Sequence, residues 1–415
     1  MLTEEENQRL TQVGPGTPMG DLLRRYWHPV AAVAELEERP TRPMRLLGED
    51  LVIFKCEEGY GLIDRFCAHR LTDLAYGIVE ACTLRCPRHG WAYTDEGICV
   101  DQPFEEEMVE VKLKAYRAQA KAGMIWAYIG PEPAPLIPDW EPFRWDDGLV
   151  QVVMSVLPCN WMQCQENSMD GIDMELFEAA FLEASRTGQP PPIPEADFEF
   201  DEFEHGFVVR NSTTGQTSGA QTVTKTSLWP NALFSGDSRS CRLEWRVPMD
   251  DTTTLNVAWF IDRIAPGKTL DAEQRTHYWY APTREEETGE ALKTHLLNQK
   301  FAVWLNQAPI VDRTKEHLSV GDEGVVMLRQ KLFSQMALVA DGGEPKGIIR
   351  SEALNNALRL PYTEPVVPEA SPEPETTEET GEVRFPFVAG QPDSAAEAYK
   401  RVIESWREAT GEASG

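Results

Sequence analysis

Two things are scarce in this 415-residue chain: long apolar runs and positive charge. No apolar stretch approaches the roughly 20 residues that cross a bilayer as a helix, which excludes that way of spanning a membrane. Lys and Arg number 39 against 68 Asp and Glu, a formal charge of −29. So acidic a chain is not built for the phosphate backbone of a nucleic acid, nor for an anionic membrane surface. Cysteine is sparse too: eight residues in a chain of this length do not read as a disulfide framework. Cys56, Cys82, Cys159, Cys164 and Cys241 are expected to be buried thiols acting as small hydrophobes. The opening "MLTEEENQRL" lacks the basic and apolar segments of a secretory signal, so the expected compartment is the reducing cytoplasm.

The 41% of hydrophobic residues suffices for a large core and two or three units. Residues 1–40, with "GPGTPMGDLLRRYWHP", predict a turn and one short helix anchored by aromatics. Residues 41–150 alternate short strands ("LVIFKC", "YGLID", "GMIWAYI") with turns rich in Gly, Asp and Pro, predicting a small antiparallel domain. Residues 151–360 open with a helical pattern over 160–184. They continue through "FEHGFVVRN", "CRLEWRVPM" and "TLNVAWFIDRI" as strands of a broad antiparallel sheet. A second helical region is expected over "EEETGEALKTHLLNQKFAVWLNQA". Residues 361–387 hold "EPVVPEASPEPETTEETGE", proline and acid without aromatics, a linker by composition. In 388–415, Tyr399, Val402, Ile403 and Trp406 fall on one helical face, so this tail is expected to pack back on the body or on a neighbour. The fold class expected is α+β, with two antiparallel domains in series.

What the chain does have is a pair of Cys/His loops. Cys67 and His69 lie in "CAHR", and Cys86 and His89 in "CPRHGWAY". The set offers two thiolates and two imidazoles. Tetrahedral zinc accepts it, and so does a [2Fe–2S] cluster whose one iron takes two Cys and the other two His. One ligand of each kind per loop, Gly90 for close backbone approach, and Trp91 and Tyr93 as a shield against water favour the cluster.

These loops, together with "GPGTPMGDLLRRYWHP", "CAHRLTDLAYGIVE", "LRCPRHGWAYTDEGICV", "NWMQCQENSMD" and "PIVDRTKEHL", resemble the Rieske non-haem iron oxygenases, large-subunit type, of the phthalate dioxygenase and aromatic O-demethylase branch. The resemblance runs over residues 10–335. It implies an antiparallel Rieske domain followed by a helix-grip (START-like) domain that holds a mononuclear iron by two His and one carboxylate. It implies head-to-tail trimers or pairs of trimers, electrons supplied by a ferredoxin or flavin reductase, and a bridging Asp that carries them from one subunit's cluster to the next subunit's iron.

The chain departs from the family at that iron. The motif Glu-Asn-x-x-Asp-x-x-His-x-x-x-x-His falls on Glu166, Asn167, Asp170, Asp173 and Glu178: the bridging Asp170 is kept and both histidines are acids. In "NQKFAVWLNQ", Lys300 stands where the family has its ligand Asp. His28, His205, His277, His295 and His317 offer no substitute pair at ligand spacing on one helix. An ammonium has no lone pair for a metal, and it repels one. A lysine among acids can take over the cation's electrostatic role by ion pairing, so a vestigial site with a salt bridge is expected. The alternatives are a hard cation such as manganese or magnesium on Asp173 and Glu178, helped by Glu166, Asp170 or Glu175; an iron site completed by another acid; or a solvated acidic helix face.

Three functions follow. The first is a subunit that donates electrons to the iron of a sister chain. The second is a complete oxygenase, hydroxylating or demethylating an aromatic substrate with unusual carboxylate ligands. The third is a non-catalytic electron-transfer or ligand-binding protein. Phe234, Trp245, Trp259 and Trp304 are candidates for an apolar pocket, but aromatic residues of this kind are more often core and receive no role here.

Overall fold

The computed structural model describes residues 1–170, 188, 196–214, 220–272, 275–361 and 385–410. Two helices open the chain, where one was expected. Helix α1 (Glu4–Thr11) starts at Thr3, whose hydroxyl accepts from the Glu6 N–H at 3.2 Å while the Glu6 carboxylate accepts from the Thr3 N–H at 2.7 Å. Helix α2 (Pro18–Leu23) is capped by Thr17 and has Pro at its first position, where no N–H is needed. Strand β1 (His28–Ala32) and helix α3 (Val33–Glu38) follow.

Strands β2 (Thr41–Leu46), β3 (Glu49–Cys56) and β4 (Gly59–Asp64) come next. Then come four short strands: β5 (Ile78–Glu80), β6 (Thr83–Arg85), β7 (Ala92–Thr94) and β8 (Cys99–Asp101). Strands β9 (Ala115–Lys121) and β10 (Met124–Tyr128) complete the unit. They form a six-stranded sheet, β1-β10-β9-β4-β3-β2, and a four-stranded sheet, β5-β6-β7-β8, both antiparallel. The period of two along β3 divides its side chains between two cores. Leu51 and Ile53 join the main core, whereas Val52 and Phe54 pack toward the four-stranded sheet.

Cys56, at the end of β3, and Cys82, in the turn between β5 and β6, form a disulfide. This corrects the expectation of thiols at both positions. The pairing depends on the two sheets coming together, which a separation of 26 residues does not announce.

The second sheet has eight strands: β11 (Gly148–Leu157), β12 (Ala196–Phe203), β13 (Gly206–Thr214), β14 (Ala220–Leu228), β15 (Ala232–Gly236), β16 (Ser240–Asp250), β17 (Thr253–Arg263) and β18 (Thr276–Tyr280). Their order is β12-β13-β14-β15-β16-β17-β11-β18. All neighbours are antiparallel except β18, which runs parallel to β11. On β16, Leu243, Trp245 and Val247 face the core shared with the first unit, and Trp245 meets Trp126 of β10 edge-on at 5.1 Å. Phe234 and Trp259 belong to the same core, while Trp304 lies in a second one.

Helices α4 (Trp161–Glu166), α5 (Leu296–Asn306), α6 (Glu323–Ala340) and α7 (Asp393–Thr410) complete the second unit. The second helical region is shorter than expected. Residues 284–295 are not α-helical, and Gly289 adopts φ +71°, which ends any regular helix there. The tail packs back: Tyr399 and Val402 are buried, and the Trp406 indole donates to the Arg263 carbonyl at 2.7 Å. The N-terminal segment reaches across the second unit. Leu2 N–H bonds the Arg313 carbonyl, and the Asn7 amide bonds the Val311 carbonyl. Among the described residues no helix is long and apolar enough to cross a membrane.

Candidate metal centre

The sequence-predicted ligands come from two neighbouring loops that bring His69 beside His89 and Cys67 beside Cys86. Cys67 and His69 lie in the loop after β4, and Cys86 and His89 in the turn between β6 and β7. Both cysteines are buried, His69 is exposed and His89 half-buried. The imidazole rings are 4.6 Å apart, and His69 stacks on Trp91 at 4.8 Å.

Each loop is tightened by its own backbone. In the first, Cys67 N–H bonds the Thr72 carbonyl and Leu71 N–H bonds the Cys67 carbonyl, both at 2.9 Å. In the second, Cys86 N–H bonds the Trp91 carbonyl at 2.7 Å and Gly90 N–H the Cys86 carbonyl at 3.1 Å. Gly90 sits at φ +80°, where a side chain would be strained, and a Cβ there would also crowd the Pro103 ring at 3.0 Å. An Arg–Asp pair braces each loop. Arg65 Nε donates to Asp73 at 3.0 Å; Arg85 Nη1 donates to Asp101 at 2.7 Å and to the Gly90 carbonyl at 2.6 Å. These braces were not foreseen from the sequence.

Tyr93 does more than shield. Its hydroxyl accepts the Ala68 N–H at 3.2 Å and lies 3.2 Å from Cys67 Sγ; toward a thiolate that holds iron, which has no proton to give, the hydroxyl would be the donor. Burial pushes the Cys67 thiol up, an effect the Tyr93 bond opposes. Desolvation first, then the charges of His69, Arg88 and Arg70, hold His89 below the usual imidazole range. Two buried sulfurs and two imidazoles at the solvent edge suit a cluster with one iron on each pair of donors. The donor set therefore fits a Rieske [2Fe–2S] centre.

Asp170 ends the short turn that follows α4. Its carboxylate accepts from the Asn167 amide at 2.9 Å, and burial pushes its pKa up to about 6, against the pull of Lys225 and Asn167. Behind it, Glu166 is gripped by two arginines. Arg313 Nη2 and Arg329 Nε each donate to it at 2.6 Å. Arg313 also reaches Asn7 of α1 at 3.1 Å, and Arg329 reaches Glu316 at 2.7 Å. Glu166 is thus committed to guanidinium groups and is not a partner for a hard cation. In "DRTKEHL" the residues that matter are Arg313 and Glu316, whereas His317 is exposed. Lys300 is buried on α5 with 5% of its surface exposed. Asp173, Glu175 and Glu178 lie outside the described residues.

The Rieske [2Fe-2S] domain family matches residues 26–117. Over 407 residues the chain is 42% identical to the 5,5'-dehydrodivanillate O-demethylase oxygenase subunit of Sphingobium sp., with 95% of each chain covered. It is 30% identical to the phenoxybenzoate dioxygenase subunit alpha of Ectopseudomonas oleovorans, over 83% of this chain and 88% of that one. Among solved structures, a carbazole-bound oxygenase–ferredoxin complex of carbazole 1,9a-dioxygenase aligns with a TM-score of 0.56 at 20% identity, over 85% of this chain and 97% of the other. NdmA of Pseudomonas putida CBB5, in complex with caffeine, aligns at 0.54 and 22% identity, over 83% and 97%.

Proposed function

Because the chain belongs to the Rieske oxygenase family, we propose that it is an oxygenase subunit that relays electrons from its own [2Fe–2S] centre to a mononuclear iron in a neighbouring sister subunit. Its own iron site is vestigial in this reading. Cys67, Cys86, His69 and His89 hold the cluster, which when bound supplies one-electron transfer at a potential raised by imidazole ligation. Trp91 and Tyr93 keep water from the sulfur side, and His69 and His89 form the edge through which a partner is reached. Asp170, held by Asn167, is the bridging carboxylate toward the neighbour's cluster.

The observation that supports the reading is the burial of Lys300, which by the sequence resemblance stands where the family has its ligand carboxylate. Asp173 and Glu178 at the two histidine positions agree with it. The domains are read as 41–150 for the cluster and 151–360 for the helix-grip unit, with a linker over 361–387. A ferredoxin or flavin reductase supplies the electrons, the assembly is a trimer or hexamer, and the compartment is the cytoplasm.

The test is iron and acid-labile sulfide per chain on anaerobically purified protein, with and without any co-purifying chain. Two irons matched by two sulfides support the reading. A third iron per chain overturns it. That result would favour the second reading, a complete aromatic O-demethylase or dioxygenase using acid ligands. The 42% identity to an O-demethylase oxygenase subunit over 95% of the chain favours that alternative.

A further inference from the structure

Electron delivery has no use for the Cys56–Cys82 bridge. Of the eight cysteines, six are buried free thiols and Cys56 is buried within its disulfide. Cys82 alone is half-buried, and both bridged residues line a groove of about 740 Å³. The turn that carries Cys82 is tight. Glu80 pairs with Thr83 across it, so only Ala81 and Cys82 are left to reverse the chain. Ala81 adopts φ +54°, a left-handed backbone that costs any residue but glycine. The cross-link to the end of β3 holds this strained turn in place.

The turn is coupled to the second ligand loop. Glu80, at its base, accepts from Arg85 Nε at 3.0 Å and Nη2 at 2.8 Å, and Arg85 Nη1 donates to the Gly90 carbonyl at 2.6 Å. Strand β6 runs straight from the turn to the ligand Cys86. Cys56, Leu84, Cys86 and Cys67 share one small apolar core. A movement of the turn is therefore passed to the loop that supplies Cys86 and His89.

The groove also has a charge. Glu58, Asp95 and Glu96 line it against Lys112, while Arg117 is paired with Glu132 at 2.5 Å. The excess is negative, which disfavours an anionic thiol such as glutathione and favours one that arrives with positive charge. In a reducing compartment, the one proposed above, a protein disulfide is ordinarily transient, catalytic or redox-sensing. We propose that Cys56–Cys82 is a thiol–disulfide exchange site, opened through Cys82 by a dithiol protein with a basic docking face, and that its opening loosens the hold on the cluster. A partner thiolate attacks Cys82 Sγ, the S–S bond breaks, and Cys56 leaves as a thiolate. The partner's second thiolate then displaces Cys82 from the mixed disulfide. The partner is oxidised by two electrons, its two thiol protons pass to Cys56 and Cys82, and the cluster is not consumed. The inference goes beyond the electron-delivery reading and holds wherever the mononuclear iron lies.

The test uses the full-length, cluster-loaded protein purified without reductant, with alkylation of Cys56 and Cys82 read by mass spectrometry. Dithiothreitol is expected to open the bridge in the folded chain. Cysteamine, a cationic thiol, is expected to form the mixed disulfide on Cys82 roughly fivefold faster than glutathione at equal thiolate concentration, an advantage that shrinks in high salt. After gel filtration, the reduced protein should release iron to a ferrous chelator roughly threefold faster than the bridged protein. Four results each overturn the inference: free thiols at 56 and 82 in the protein as purified, a bridge that opens only on unfolding, equal rates for the two thiols, or equal iron release. The double variant Cys56→Ser, Cys82→Ser should release iron at the faster rate with or without dithiothreitol. The wild-type comparison decides the matter even if that variant does not fold. Iron per chain is counted separately, so failure here is distinct from failure of the electron-delivery reading.

Discussion

Tyr93 turns a shielding aromatic into an electronic one. A hydrogen bond to a ligand sulfur stabilises the more negative, reduced centre, so Tyr93→Phe should lower the midpoint potential. A bond worth about 1 kcal/mol corresponds to roughly 40 mV for a one-electron couple. A redox titration that finds no change would remove the role. Asp170 carries a pH signature. Its carboxyl is raised from 3.8 to about 6, so the folded chain holds this proton more tightly than the unfolded one. Stability therefore falls as pH rises from about 4 to 6 and stays lower above that range. Asp170→Asn should recover roughly 2 kcal/mol at pH 7.5 and almost nothing below pH 4, read from urea midpoints, while electron delivery to the partner is lost. An equal effect at both pH values would refute the burial argument.

At the scale of elements, the ligand loops were readable from the sequence because their chemistry is local: Cys, His and Gly at fixed spacing within a few residues. Their braces were not, since Arg65–Asp73 exists only once the loop after β4 turns back, and Arg85–Asp101 only once β6, β7 and β8 pair in series. The Cys56–Cys82 bridge escaped for the same reason, because it joins two different sheets. Replacing both cysteines by serine should cost about 3 kcal/mol on a chain-entropy argument. The loss should appear as faster amide exchange in β5 and β6 before any change in the eight-stranded sheet. Exchange that rises uniformly would count against a local staple. The grip on Glu166 is the other long-range device. Arg313→Met leaves a buried carboxylate short of one partner and should cost about 3 kcal/mol in urea unfolding. A loss below 1 kcal/mol would mean that Arg329 alone suffices.

In the whole molecule, the two-unit α+β plan follows from strand alternation and composition, as do the folded-back tail and the absence of an apolar run. The packing of the units was not readable, because it depends on which face of β16 meets β10, and alternating Arg and Trp permit either choice until both sheets exist. Around the cluster tip, Leu71, Tyr76, Ile78 and Phe104 are exposed beside Arg70 and Arg88, an apolar and basic patch on a chain of charge −29. If electrons enter or leave here, Leu71→Asp should weaken the reductase or sister contact several-fold. The cluster's absorption spectrum should stay as it was. Unchanged steady-state KM and unchanged assembly would exclude the patch. The reach of α1 across to Arg313 has a consequence for biosynthesis. Residues 2–7 are made well before the backbone they dock on, residues 311–313, which follows roughly 15–60 s later at ordinary translation rates. Helix α1 is therefore seated late relative to its synthesis, and until then the nascent chain lacks this clasp.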